Sequence, residues 1–182
     1  MIFARWRTYR RLRRAEEIGD TTAEGDIAKA TGIVRVVDDS LRGPHSGRLC
    51  VGWRIRMLVG GGESGSLGTF EGSELVRFAV EREDGSRIVI VSSDAQFDLP
   101  SIRELGDAPR WAEYCESRGI SATHPAEEVA IEPGSIVSIV GIVAVDAEPR
   151  PPQAELGYRQ EATRALQLTG DYDHPVLIGR RR

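Results

Sequence analysis

Long apolar runs, cysteines and histidines are all scarce in this chain of 182 residues. No stretch approaches the roughly 20 apolar residues that a helix needs to span a bilayer. The opening Met1-Ile2-Phe3-Ala4 runs straight into arginines, without the apolar core and cleavage site of a secretory signal. A soluble, cytoplasmic chain is expected. Two cysteines, Cys50 and Cys115, supply neither a disulfide framework nor the four clustered ligands of a structural zinc site. They are expected to be reduced and buried. Of the three histidines, His124 and His174 each precede a proline, a context typical of turns. The acids Asp38, Asp39, Asp171 and Asp173 lack any recognised ligand spacing, so no metal or cofactor is expected. The Gly-rich stretch Gly60 to Gly72 follows a strand, but neither a helix nor a Lys-Ser/Thr pair comes after it. It reads as a flexible loop, not a phosphate cradle.

What is present describes an ordinary globular protein: 40% hydrophobic and 29% charged residues in a length that suits one domain. Twenty glycines and nine prolines favour many turns, hence strands. The net charge of −4 is unevenly spread. Arg5, Arg7, Arg10, Arg11, Arg13 and Arg14 crowd the start and Arg180 to Arg182 close the chain, leaving a more acidic body. Basic ends of this kind can engage anionic lipid, nucleic acid or an acidic protein. Ala4 to Ile18 contains no Gly or Pro, sets Trp6, Tyr9 and Leu12 on one stripe, and stops at Gly19. This predicts a basic amphipathic helix. Trp6, Arg7, Arg10, Arg11 and Arg14 are its candidate contacts with a membrane or partner, and residues 1–22 form this helix and a connector. Residues 23–182 form a single β-rich domain.

Within that domain the segment Ile27 to Val37, with its β-branched run Ile33, Val34, Val36 and Val37, reads as a first strand. Leu49, Val51, Trp53, Ile55 and Met57 alternate with Cys50, Gly52, Arg54 and Arg56, which predicts a strand from Leu49 to Val59, buried on one face and antiparallel to the first. Val76 to Ser92 is a hairpin about Asp84-Gly85, with Ala95 to Leu99 extending its second strand. A short helix starts at Pro109 and ends before Gly119, with Trp111, Tyr114 and Cys115 on its inner face. Glu127 to Ile131 is a strand, Pro133-Gly134 a type II turn, and Ile136 to Val145 a strand covered on both faces. Ala162 to Leu168 and Pro175 to Gly179 complete the set. The fold class is mainly β: a compact antiparallel barrel or sandwich with an N-terminal basic helix and one short internal helix.

Three readings of function follow. Gly43-Pro44-His45-Ser46-Gly47-Arg48-Leu49-Cys50-Val51-Gly52-Trp53 contains Pro-x-Ser-Gly-x-x-Cys followed by an aromatic strand. Phe78 to Ile90 forms a hairpin about Gly85, and Glu128 to Gly141 approximates Glu-x-x-Leu-x-x-Gly-Asp-x-Val-x-Val-x-Gly. In this order the three segments resemble the GIDE, or "beside a membrane", domain of membrane-bound ubiquitin ligases and its bacterial relatives. The resemblance covers most of Ala23 to Gly179. It implies a β-rich module held beside a membrane that senses, assembles or presents a partner, its catalytic power residing in a separate RING zinc module. Here Ser135 replaces the usual Asp, no transmembrane helix is found, and two cysteines exclude a RING. The implied role is a non-catalytic adaptor, not an enzyme, with a membrane-embedded protein or an anionic lipid surface as partner. His45, Arg48, Arg54 and Arg56 are its candidate binding residues. The second reading is an OB-like nucleic-acid binder using Trp53 and its flanking arginines, and the third a Cys-His enzyme using Cys50 with His45. Oligomeric state is not legible in the sequence.

Overall fold

The structure, a computed structural model, describes Arg10 and residues 14–19, 21–60, 67–122, 125–145, 166–171 and 173–180. In chain order the elements are β1 (Ile27–Val36), β2 (Leu41–Arg42), β3 (Leu49–Cys50), β4 (Gly52–Gly60), β5 (Leu67–Leu75), β6 (Phe78–Glu81), β7 (Arg87–Ser92) and β8 (Ala95–Asp98). There follow α1 (Ala108–Ser117), β9 (Ala126–Ile131), β10 (Ile136–Val145), β11 (Leu166–Gly170) and β12 (Val176–Arg180). The chain is mainly β, as its composition predicts.

Five strands close on themselves. β10, β1, β6 and β7 are successive antiparallel neighbours, the spatial order of a Greek key. β11 fills the remaining gap, antiparallel to β10 and parallel to β7. The result is a five-stranded Greek-key barrel of the architecture seen in OB-type folds. Its interior is mostly β-branched, with one phenylalanine and one leucine among the residues at its centre: Val34, Phe78, Val80, Ile90, Ile139 and Leu168 are fully buried. β12 takes the first half of the edge of β10 that β11 leaves free, and β8 adds to β12 in parallel. Ala95 to Leu99 therefore does not prolong the hairpin strand. The Ser92 hydroxyl turns back onto the Asp94 carbonyl at 2.7 Å, and the chain bends there.

A second layer is built from the long connections of the barrel. β4 pairs with β5 from Gly52↔Leu75 to Gly60↔Leu67, and on its other side with β9. Trp53, Ile55 and Met57 face α1 and enclose a second core with Trp111, Cys115, Cys50 and Ala126. The helix has the predicted signals: Asp107 caps it, accepting from the Arg110 amide at 3.1 Å, Pro109 lies in its first turn, and Gly119 follows at φ +66°.

Several expectations are corrected. The strand predicted from Leu49 to Val59 is broken at Val51, and its longer part pairs with β5 and β9 instead of β1. Val51 belongs to the barrel core while Cys50 and Trp53 belong to the second. The backbone therefore turns at Val51 to serve both, which inverts the alternation and leaves Leu49 exposed. Of the Gly60 to Gly72 stretch read as a flexible loop, Gly60 ends β4 and Leu67 to Gly72 belong to β5, drawn into a strand by the pairing with β4; residues 61–66 lie outside the described residues. The helix predicted from Ala4 to Ile18 does not reach its expected end. Glu16 to Ile18 runs alongside β1, with Ile18 N donating to Lys29 O at 2.7 Å and Lys29 N to Glu16 O at 2.8 Å. Burial of Ile18 in the barrel core favours that course. Of the N-terminal candidates, Arg10 and Arg14 are exposed, while Trp6, Arg7 and Arg11 lie outside the described residues. The segments Asp146 to Gln153 and Ala162 to Ala165 also lie outside them.

Gly32 precedes Ile33, the residue at which β1 passes from β10 to β6, and a Cβ on Gly32 would overlap the Glu81 carbonyl. Gly32→Ala is expected to lose about 1–3 kcal/mol in urea unfolding. Gly68→Ala, where a Cβ meets only ordinary contacts, should stay within about 0.5 kcal/mol.

Candidate functional site

The most chemically loaded place in the molecule is the turn Gly43 to Gly47 where it meets β9. Alternation along β9 sets Ala126, Glu128 and Ala130 toward α1, with Glu128 directly opposite Ile55. A carboxylate is thus inserted into an apolar face, and it is fully buried. Such a group is costly unless its lone pairs are satisfied. Glu128 Oε2 accepts from the amides of His45 at 2.8 Å and Ser46 at 3.3 Å, and Oε1 from the Ser46 hydroxyl. The carboxylate also occupies the space of a side chain at position 43, so only glycine fits there.

Other contacts hold the turn from outside. Gly47 N donates to Gly43 O and Gly43 N to Arg48 O, both at 2.9 Å. Gly106 N donates to the His45 carbonyl at 3.1 Å, which ties the turn to the segment that caps α1. The imidazole of His45 stands edge-on to Trp111, with centroids 5.0 Å apart at 87°. Trp111 in turn stacks on Tyr114 and donates its indole N–H to Ala122 O at 3.1 Å.

This geometry limits the chemistry. The Ser46 hydroxyl goes directly to Glu128, with no imidazole between, and His45 Nδ1 is buried without a partner. Burial lowers the proton affinity of His45, and the negative charge of Glu128 only partly opposes that. Burial pushes the Cys50 thiol up to about 12, with the charge of Glu128 adding to it and the nearby amides of Gly52 and Gly43 opposing it. A thiolate at neutral pH is correspondingly scarce. Cys115 is raised by burial as well. Among the described residues no group of three His, Cys, Asp or Glu could hold a metal ion.

The four predicted binding residues do not share one face. His45 is 5% exposed, beneath the turn. Arg48 projects from the turn's end and pairs with Glu132 at 2.8 Å. Arg54 and Arg56 lie on the outer face of β4, away from α1, and both reach Glu71, at 2.9 and 3.4 Å. Sequence reasoning gave no role to Glu128 or Ser46. The available signal is a glutamate at an inward position of a strand otherwise small and apolar on that side. It also missed a polar cleft of about 430 Å³ on the barrel, lined by Glu17, Lys29, Thr31, Arg82, Asp84 and Ser138. These residues are scattered along the chain, so no local pattern announces the cleft. In it Lys29 pairs with Glu17 and Arg82 with Asp84, and the hydroxyls of Thr31 and Ser138 bond across strands at 3.0 Å.

Glu128→Ala strands two amides and a hydroxyl, and is expected to cost about 2–5 kcal/mol in urea unfolding followed by tryptophan fluorescence. Ser46→Ala, which removes one donor, should cost about 1 kcal/mol. Because His45 binds a proton less readily folded than unfolded, stability should decline as pH falls through the unfolded-state value of about 6.5 and level off below the folded-state value. In a pH series of unfolding curves His45→Gln should remove that part of the decline. No family model matches this chain, and no match to it is found among curated proteins or solved structures.

Proposed function

We propose that the chain is a non-catalytic interaction module of the GIDE type, acting beside a membrane through a protein or anionic lipid partner. The observation that carries this reading is the use made of Glu128. Its carboxylate and the Ser46 hydroxyl are spent on fixing the turn Gly43 to Gly47. Two of the three segments that carry the resemblance, the Pro44-His45-Ser46-Gly47 turn and the strand of Glu128, are therefore bonded to each other. The shielded thiol of Cys50 supports a structural role for that turn in preference to nucleophilic chemistry. The barrel architecture speaks for the nucleic-acid reading. Against it, every Phe, Tyr and Trp side chain among the described residues is buried or half-buried, so none of these offers an open ring face for stacking bases. The exposed Arg10 and Arg14 and their neighbouring arginines favour the membrane-side reading.

The test is co-sedimentation of the full chain with phosphatidylcholine vesicles, with and without phosphatidylserine. Binding should require the anionic lipid and weaken with salt. Replacement of Arg7, Arg10, Arg11 and Arg14 by glutamine should cost about 1 kcal/mol per charge removed. Absence of binding by the wild-type chain would overturn the lipid-surface part of the proposal.

A further inference from the structure

Among the described residues the second layer ends in a strand paired on one edge alone. β5 pairs with β4 over its whole length without a bulge, and among the described residues nothing pairs with its other edge. The opposite side of the same sheet is treated differently. There Ile102 caps β9, donating to Glu128 O at 2.6 Å and accepting from Glu128 N at 2.9 Å. Natural edge strands are usually shortened, bulged, or protected by lysine or proline. β5, Leu67-Gly68-Thr69-Phe70-Glu71-Gly72-Ser73-Glu74-Leu75, has full strand length and no lysine or proline, and its charged residues are Glu71 and Glu74.

We propose that β5 is an interface for a second copy of this chain, pairing antiparallel with β5 of the partner about a two-fold axis at Phe70. The inference stands on the sheet alone and does not depend on the reading given under Proposed function. A two-fold interface must be self-complementary, and the sequence of β5 distinguishes the registers. Centring on Glu71 sets two carboxylates directly opposite, which is destabilising. Centring on Gly72 sets Phe70 against Glu74 of the partner. Centring on Phe70 sets Glu71 opposite Thr69, Gly72 opposite Gly68 and the two Phe70 rings opposite each other.

The faces agree with that register. Gly68, Phe70 and Gly72 lie opposite Val59, Met57 and Ile55, hence on the side of α1. The half-buried Phe70 already packs edge-on to Tyr114, with centroids 6.3 Å apart. The space at Gly72 is taken by the Tyr114 hydroxyl, but at Gly68 a Cβ would meet only Val59, so the partner's ring would lie over the Gly68 side of Phe70. On the outer face Glu71 is held by Arg54 and Arg56, so pairing brings no bare carboxylates together. The product is one continuous sheet through both copies, β9-β4-β5 followed by β5-β4-β9.

Thr69 is exposed, so its charge can be changed with little risk to the fold. The experiment is sedimentation equilibrium of the full chain from low to several hundred micromolar, with Thr69→Lys and Thr69→Glu alongside. The wild type should show a monomer-dimer equilibrium. Thr69→Lys, opposite Glu71 of the partner, should tighten it and Thr69→Glu should loosen it, each roughly 2- to 30-fold because two symmetric pairs change together. A wild-type chain that stays monomeric throughout would overturn the proposal. So would a dimer whose affinity moves equally, or not at all, in the two variants.

Discussion

The carboxylate of Glu128 is the one acidic group that the fold encloses completely among the described residues, and the second core is assembled around it. A buried charge has a large desolvation penalty, offset here because its oxygens receive two amides and a hydroxyl from a single turn. That turn is fastened in its own right to the segment capping α1. Three pieces far apart in sequence, at residues 43–47, 106–111 and 128, thus hold one another in place. Gly43 follows from the same constraint, since any side chain there would displace the carboxylate.

The barrel and the second layer share backbone as well as a boundary. Val51 and Ile131 are buried in the barrel core, while their neighbours Cys50, Trp53 and Ala130 pack in the other. Val51 N donates to Ile131 O at 2.8 Å and Val51 O accepts from Val76 N at 2.9 Å, so the crossing point is itself hydrogen-bonded. Disturbing this junction reaches both cores, which ties the two layers into one cooperative unit.

What could be read from the sequence was what local chemistry dictates. Asp84-Gly85 makes the β6–β7 turn, with Gly85 at φ +79°. Pro109 and Gly119 bracket α1, and the β-branched run from Ile136 makes β10. What could not be read depends on partners distant in the chain. Alternation shows that β4 has a buried face but not which strands flank it, and glycine content argues against β5 until the pairing with β4 overrides it. The candidate site divides in the same way. Arg54 and Arg56 are on the exposed face as expected, yet both reach Glu71 of a strand that was read as loop. His45 looks like a surface ligand in a turn-rich stretch and instead points inward, because Trp111, contributed from much later in the chain, gives it an apolar wall.

The closure of the barrel has a consequence for the order of assembly. β7 and β10 face the gap that β11 fills, and β11 begins only at Leu166. A chain emerging from the ribosome can form the β6–β7 hairpin and the second layer early, but two barrel edges stay unsatisfied until that late segment arrives. Contacts of such long sequence separation form slowly, and open strand edges recruit other chains. The interval before β11 docks is therefore when this protein is most exposed to misassembly, and a chain stopped short of Leu166 would remain in that state.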